Sequence, residues 1–75
     1  MKTKSFIENI EEVMIETAIK DNIIVNFYLN NSKTVSGIIA IYSNDTYVVI
    51  DSEEIRHIIY KNNICEMVFT NKTNF

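Results

Sequence analysis

Hydrophobic and polar positions change period once along this chain, near residue 22. Before that point Ile7, Ile10, Met14 and Ala18 recur at the spacing of one helix face, with Phe6 and Val13 widening it. Glu8, Glu11, Glu12 and Glu16 populate the other side, so the pattern predicts an amphipathic helix from about residue 5 to residue 19. Ser5 and Glu8 have the spacing of a capping box, and Lys20-Asp21-Asn22 closes the helix without glycine or proline. Met1 to Lys4 reads as a short basic leader.

After residue 22 the period shortens to that of strands. Ile23 to Asn30 sets Val25, Phe27 and Leu29 against Asn26, Tyr28 and Asn30, the alternation of a half-buried strand. Asn31-Ser32-Lys33 turns the chain into Thr34 to Ser43. Gly37, the one glycine, falls inside that run, where it marks a sharp bend or a close backbone approach. Asn44-Asp45 supplies the next turn before Thr46 to Asp51; Ser52-Glu53-Glu54 leads into Ile55 to Tyr60, and Lys61 to Asn63 into Ile64 to Phe69. One helix followed by five hairpin-linked strands predicts a mostly β fold. It is a strongly bent antiparallel sheet forming a small barrel over residues 23–69, with a polar tail at 70–75.

With 75 residues there is room for one domain, and a domain this small gains from joining a second chain. No apolar stretch approaches the roughly 20 residues of a membrane span, and the first residues turn acidic where a signal peptide would be apolar, which reads as cytoplasmic. The lone Cys65 can form no intrachain disulfide; inside an apolar run it reads as a small core residue. A formal charge of -3 argues against a general grip on nucleic acid, so any such contact must be local.

Catalytic patterns are sparse. A single histidine, His57, and a single glycine exclude paired-histidine metal sites, P-loops and dinucleotide fingerprints. Asp51, Glu53 and Glu54 sit at a hairpin turn, where solvated carboxylates are the ordinary reading, and His57 shares a strand face with Ile55 and Ile59, which suits a hydrogen-bonded structural role. The chain reads as a non-enzyme without metal or cofactor. The clearest chemical feature is Tyr60-Lys61-Asn62-Asn63, which puts an exposed cation beside an aromatic ring on a turn between two strands.

Those residues also carry a resemblance. Residues Ile23 to Phe69, with the central Gly37, the Tyr47-Val48-Val49 strand and above all Tyr60-Lys61-Asn62-Asn63-Ile64, resemble the Sm fold and, within it, Hfq, the bacterial Sm-like RNA-chaperone family. In that family the last motif reads Tyr-Lys-His, a small residue and Ile. The resemblance implies a homo-oligomeric, typically hexameric ring in which the fourth strand of one subunit pairs with the fifth of the next. It implies single-stranded RNA as partner: U-rich on the helix side around the pore, A-rich on the opposite face. On the helix side Tyr47 would stack on a base, Lys61 would bond a base edge, Tyr60 would support the turn and Asn62 replaces the histidine. Glu11 falls where the family offers glutamine. On the opposite face the contacting positions are Tyr28, Ser32, Lys33, Thr34, Ser36 and His57, with Ser32 in place of a turn glycine. The family's arginine-rich rim is replaced by Ile19, Lys20, Asp21 and Asn22. Two functions follow: an RNA-binding ring acting in post-transcriptional regulation, or a ring that has lost RNA and serves as a protein-interaction scaffold through its acidic helix face.

Overall fold

The computed structural model describes residues 6–70, with side chains from Ile10 to Thr70. The capping box of Ser5 and Glu8, the leader and residues 71–75 of the tail lie outside the described residues. Helix α1 spans Phe6–Asp21. It ends in a Schellman arrangement: Ile23 N–H donates to the Ala18 carbonyl at 2.9 Å and Asn22 N–H to that of Ile19 at 3.4 Å. Asn22 takes φ 55°, a left-handed conformation that asparagine tolerates better than most residues, so no glycine is needed.

Five strands follow: β1 Val25–Leu29, β2 Thr34–Tyr42, β3 Thr46–Ile50, β4 Arg56–Tyr60 and β5 Ile64–Phe69. A 3-10 turn, Lys61–Asn63, joins the last two. They form one antiparallel sheet in the order β4-β3-β2-β1-β5. Strand β2 is shared between its halves: Thr34 to Gly37 pair with β1, and Ile38 to Tyr42 pair with β3. The bend lies at Gly37. A Cβ there would stand 2.3 Å from the carbonyl oxygen of Ile50, so only glycine allows β2 to pass this close to β3. The sheet curls into the predicted mostly β, Sm-like barrel, but hydrogen bonds do not close it, because β4 and β5 remain its two edges.

The core is Val25, Phe27, Ile39, Tyr47, Val49 and Ile59 from the strands, capped by Ile15 and Ala18 of α1. Phe27 and Tyr47 meet with ring centroids 5.7 Å apart and planes tilted by 47°. Each large apolar side chain buried here contributes roughly 1.5–3 kcal/mol. The predicted alternation of β1 holds, with Val25 and Phe27 buried and Tyr28 turned outward.

Three expectations are corrected. Of the described side chains in the predicted stripe only Ala18 is buried; the helix packs through it and Ile15, whereas Ile10, Val13 and Met14 are exposed. The acidic side is drawn toward the barrel instead, because Glu11 and Glu16 accept hydrogen bonds from Tyr47 and Tyr42. Cys65 is exposed rather than in the core. Tyr28 pairs with Glu66 and Leu29 with Ile64, so Cys65 is the extra residue of a β-bulge and loses its inward place. Finally, Lys61 is half-buried rather than fully exposed, and the ring it meets is Tyr47, not its neighbour Tyr60. Among the described residues, no helix is long and apolar enough to cross a membrane.

Candidate nucleic-acid interface

The 3-10 turn between β4 and β5 is fixed by both flanking hairpins. Lys61 N–H donates to the Asp45 carbonyl at 2.9 Å, Asn30 N–H to the Asn63 carbonyl at 2.8 Å, and the Asn30 amide to the Asn62 carbonyl at 3.2 Å. These bonds compensate for a turn that has no side-chain cap. They carry Lys61 back over β3, where its Nζ lies 5.0 Å from the centroid of the Tyr47 ring, a cation–π distance.

Tyr47 is only 1 % exposed, and its hydroxyl donates to Glu11 Oε2 at 2.7 Å. Burial, and then the hydrogen bond to and charge of Glu11, push its pKa well above that of ordinary tyrosine, so the hydroxyl keeps its proton and remains a donor. Tyr42 repeats the theme more loosely, donating to Glu16 Oε2 at 3.2 Å. Desolvation and the nearby carboxylates of Glu16 and Glu12 raise its pKa as well. Between helix and sheet lies a cavity of about 170 Å³ bordered by Glu11, Glu12, Tyr42, Asn44, Tyr47 and Lys61. A second hollow of about 290 Å³ continues past Tyr47 and Lys61 toward Ile64 and Glu66 on β5.

Of the residues expected on this side, Tyr47 and Lys61 are therefore brought together. Asn62 is exposed on the turn, and Tyr60 shares the outward face of β4 with Ile58, away from buried Ile59. Sequence reasoning missed Tyr42. In the register between β2 and β3 Ala40 has no partner, and this bulge turns Tyr42 toward the helix and Ile41 to solvent. Simple alternation carries no trace of it.

The other face is laid out by cross-strand pairs. Asn26 pairs with Ser36 and Tyr28 with Thr34, so these four side chains share the outer surface of the β1–β2 hairpin. Ser36 Oγ donates to Asn26 Oδ1 at 2.6 Å, and Tyr28 is 39 % exposed. Asn26, which alternates onto the same face as Tyr28, joins the residues expected here. The hairpin turn holds Ser32 at φ 71°, where a glycine would be free of strain. Lys33, exposed beside it, anchors the turn by donating its N–H to Asn31 Oδ1 at 3.1 Å. His57 stands apart within one chain, since β2 and β3 separate its strand from β1. Its Nε2 lies 2.8 Å from Asp51 Oδ2. That contact, with the N–H groups of Ile55 and Glu53, holds the Asp51 carboxyl below the usual range against the opposing effect of burial. Among the described residues no group of histidine, cysteine and carboxylate side chains is arranged to hold a metal ion.

No family model matches the chain, and no curated protein matches it by sequence. Its structure is similar to the 1.55 Å crystal structure of the pleiotropic translational regulator Hfq, with a TM-score of 0.73, 22 % identity, and coverage of 79 % of this chain and 97 % of that one. Helix, strand order, bent central strand and 3-10 turn together make this an Hfq-like Sm fold.

Proposed function

We propose that the protein is a cytoplasmic, homo-oligomeric Sm-like ring that binds single-stranded RNA and acts as an RNA chaperone in post-transcriptional regulation. It is a binding protein rather than an enzyme. The observation that carries the reading is the Lys61 ammonium held over the Tyr47 ring at a turn clamped by two hairpins, within a fold like that of a translational regulator. The edges β4 and β5 support the assembly: Ile58 and Tyr60 on β4 and Val68 on β5 are exposed apolar side chains on strands with one unpaired side. Joining β4 of one subunit to β5 of the next, six times around, covers both edges.

In the ring, Lys61 and Asn62 offer polar contacts to single-stranded RNA on the helix side, with U-rich strands as the first to test, while Tyr47 holds Lys61 and Tyr60 supports the turn. Tyr28, with Ser32, Lys33, Thr34, Ser36 and, from an adjacent subunit, His57, offers a stacking surface for A-rich RNA. Each base stacked on an aromatic ring contributes roughly 1–3 kcal/mol, and repeated modest sites on one strand act together. Titration of labelled U-rich and A-rich oligonucleotides at low salt tests the reading. Binding should weaken for the U-rich strand in Lys61→Ala and for the A-rich strand in Tyr28→Ala; no binding, or unchanged binding in both variants, contradicts it. A second reading, a ring without RNA that serves as a protein-interaction scaffold, draws on the exposed Ile10, Val13 and Met14 of α1. It predicts a co-purifying protein and no absorbance from nucleic acid.

A further inference from the structure

The helix-side cavity combines groups that suit one nucleobase better than the others. Ile15 and Tyr47 form its floor but are each only 1 % exposed, so the groups it presents are mainly polar: Glu11 and Glu12 on the helix side, Tyr42 beside them, and the Lys61 ammonium. Glu11 uses one oxygen, Oε2, to accept the Tyr47 hydroxyl at 2.7 Å. A carboxylate offers about four lone-pair sites and no proton, so Glu11 can accept further N–H groups and donate none. Tyr47 thereby fixes the position of an acceptor-only group at the cavity wall.

A planar ring entering this cavity meets acceptors on one side and a donor on another. Uracil presents one N–H flanked by two carbonyl oxygens, which a carboxylate repels. Adenine and cytosine each place an acceptor nitrogen beside their amino group. Guanine alone presents two adjacent donor groups, N1–H and N2–H₂, that match the two oxygens of a carboxylate, and its O6 and N7 accept from lysine.

We propose that Glu11 is a specificity-determining residue that makes the helix-side cavity select guanine in single-stranded RNA. Its carboxylate accepts from guanine N1–H and N2–H₂, while Lys61 donates to O6 or N7. This rests on the reading of the face as an RNA interface, and it replaces uracil as the preferred base there.

Fluorescence anisotropy on the full-length, assembled protein tests it, with three labelled hexamers: all-uridine, alternating uridine and guanosine, and alternating uridine and inosine, which lacks the 2-amino group. The guanosine hexamer should bind about tenfold tighter than the all-uridine one, the lower range for a bidentate base contact, with inosine between them. Glu11→Gln keeps the size and the acceptor for Tyr47 but adds a donor, so it should bring the guanosine and uridine affinities together. All-uridine binding as tight as guanosine, or a preference that survives Glu11→Gln, overturns the assignment and leaves RNA binding itself standing. Failure of every hexamer to bind removes both. Tighter binding of an oligo-arginine peptide than of any hexamer would give the cavity to a basic protein segment and also overturn it.

Discussion

Two tyrosines, Tyr47 and Tyr28, occupy the two faces of this small barrel in opposite states. Tyr47 is closed in: its ring packs on Phe27, its hydroxyl is bonded to Glu11, and Lys61 covers it. Tyr28 is open, standing on the outer surface of β1 beside the Asn26–Ser36 bond. A residue buried with its polar end satisfied contributes to stability whether or not a ligand is present; an exposed ring contributes almost nothing until something stacks on it. The helix side is thus part of the core as well as a candidate site, and the opposite face is a surface only.

The largest expected effect separates these roles. Tyr47→Ala should cost about 3–5 kcal/mol of stability, a large share of what a domain of this size possesses. Tyr28→Ala should stay within about 0.5 kcal/mol in urea unfolding while weakening A-rich RNA by roughly 1–3 kcal/mol. Comparable destabilisation by both substitutions would erase the distinction. Gly37→Ala comes next, and it should damage both faces together. The added methyl meets the Ile50 backbone, and prising β2 from β3 should cost about 1–3 kcal/mol, read from the urea midpoint.

Much of this layout was legible in the residues. The strands fall within two residues of their expected limits, β5 coincides with Ile64 to Phe69, and Gly37 lies where the chain had to bend. The phase of α1 was not legible. With Val13, Met14 and Ile15 consecutive, two apolar stripes compete, and the choice is made by tyrosine hydroxyls on strands distant in sequence that bind Glu11 and Glu16. The bulges at Ala40 and Cys65 were hidden for a related reason. An extra residue inverts the alternation after it, and nothing in the residue types of a continuous apolar run reports the inversion. At the site, Lys61 and Tyr47 could each be named, but the 5.0 Å contact between them depends on how the 3-10 turn is clamped.

Smaller effects sharpen the comparison at positions away from the two rings themselves. The folded carboxyl of Asp51 has a lowered pKa, so its stabilising contribution is complete above the unfolded carboxyl value of about 4 and is lost as pH falls through the lower folded value. Asp51→Asn should therefore be less stable than the wild type at neutral pH. The gap should close as the solution is acidified below about pH 4, with RNA binding at neutral pH unchanged for the helix-side ligand. Thermal unfolding across an acid series checks this, and a gap that widens on acidification contradicts it. The smallest change is Ser32→Gly, which removes a left-handed strain of roughly 1–2 kcal/mol but adds chain entropy, for a net gain of about 0.5 kcal/mol on the Tyr28 side alone.

In the proposed ring both faces depend on one assembly, because among the described residues β4 and β5 are the two edges of the sheet. Light scattering of the purified protein, diluted to low micromolar concentration, measures whether copies join along those edges. The account predicts a closed ring of about six times the 8.7 kDa chain mass, stable to dilution. A persistent 8.7 kDa monomer would contradict it.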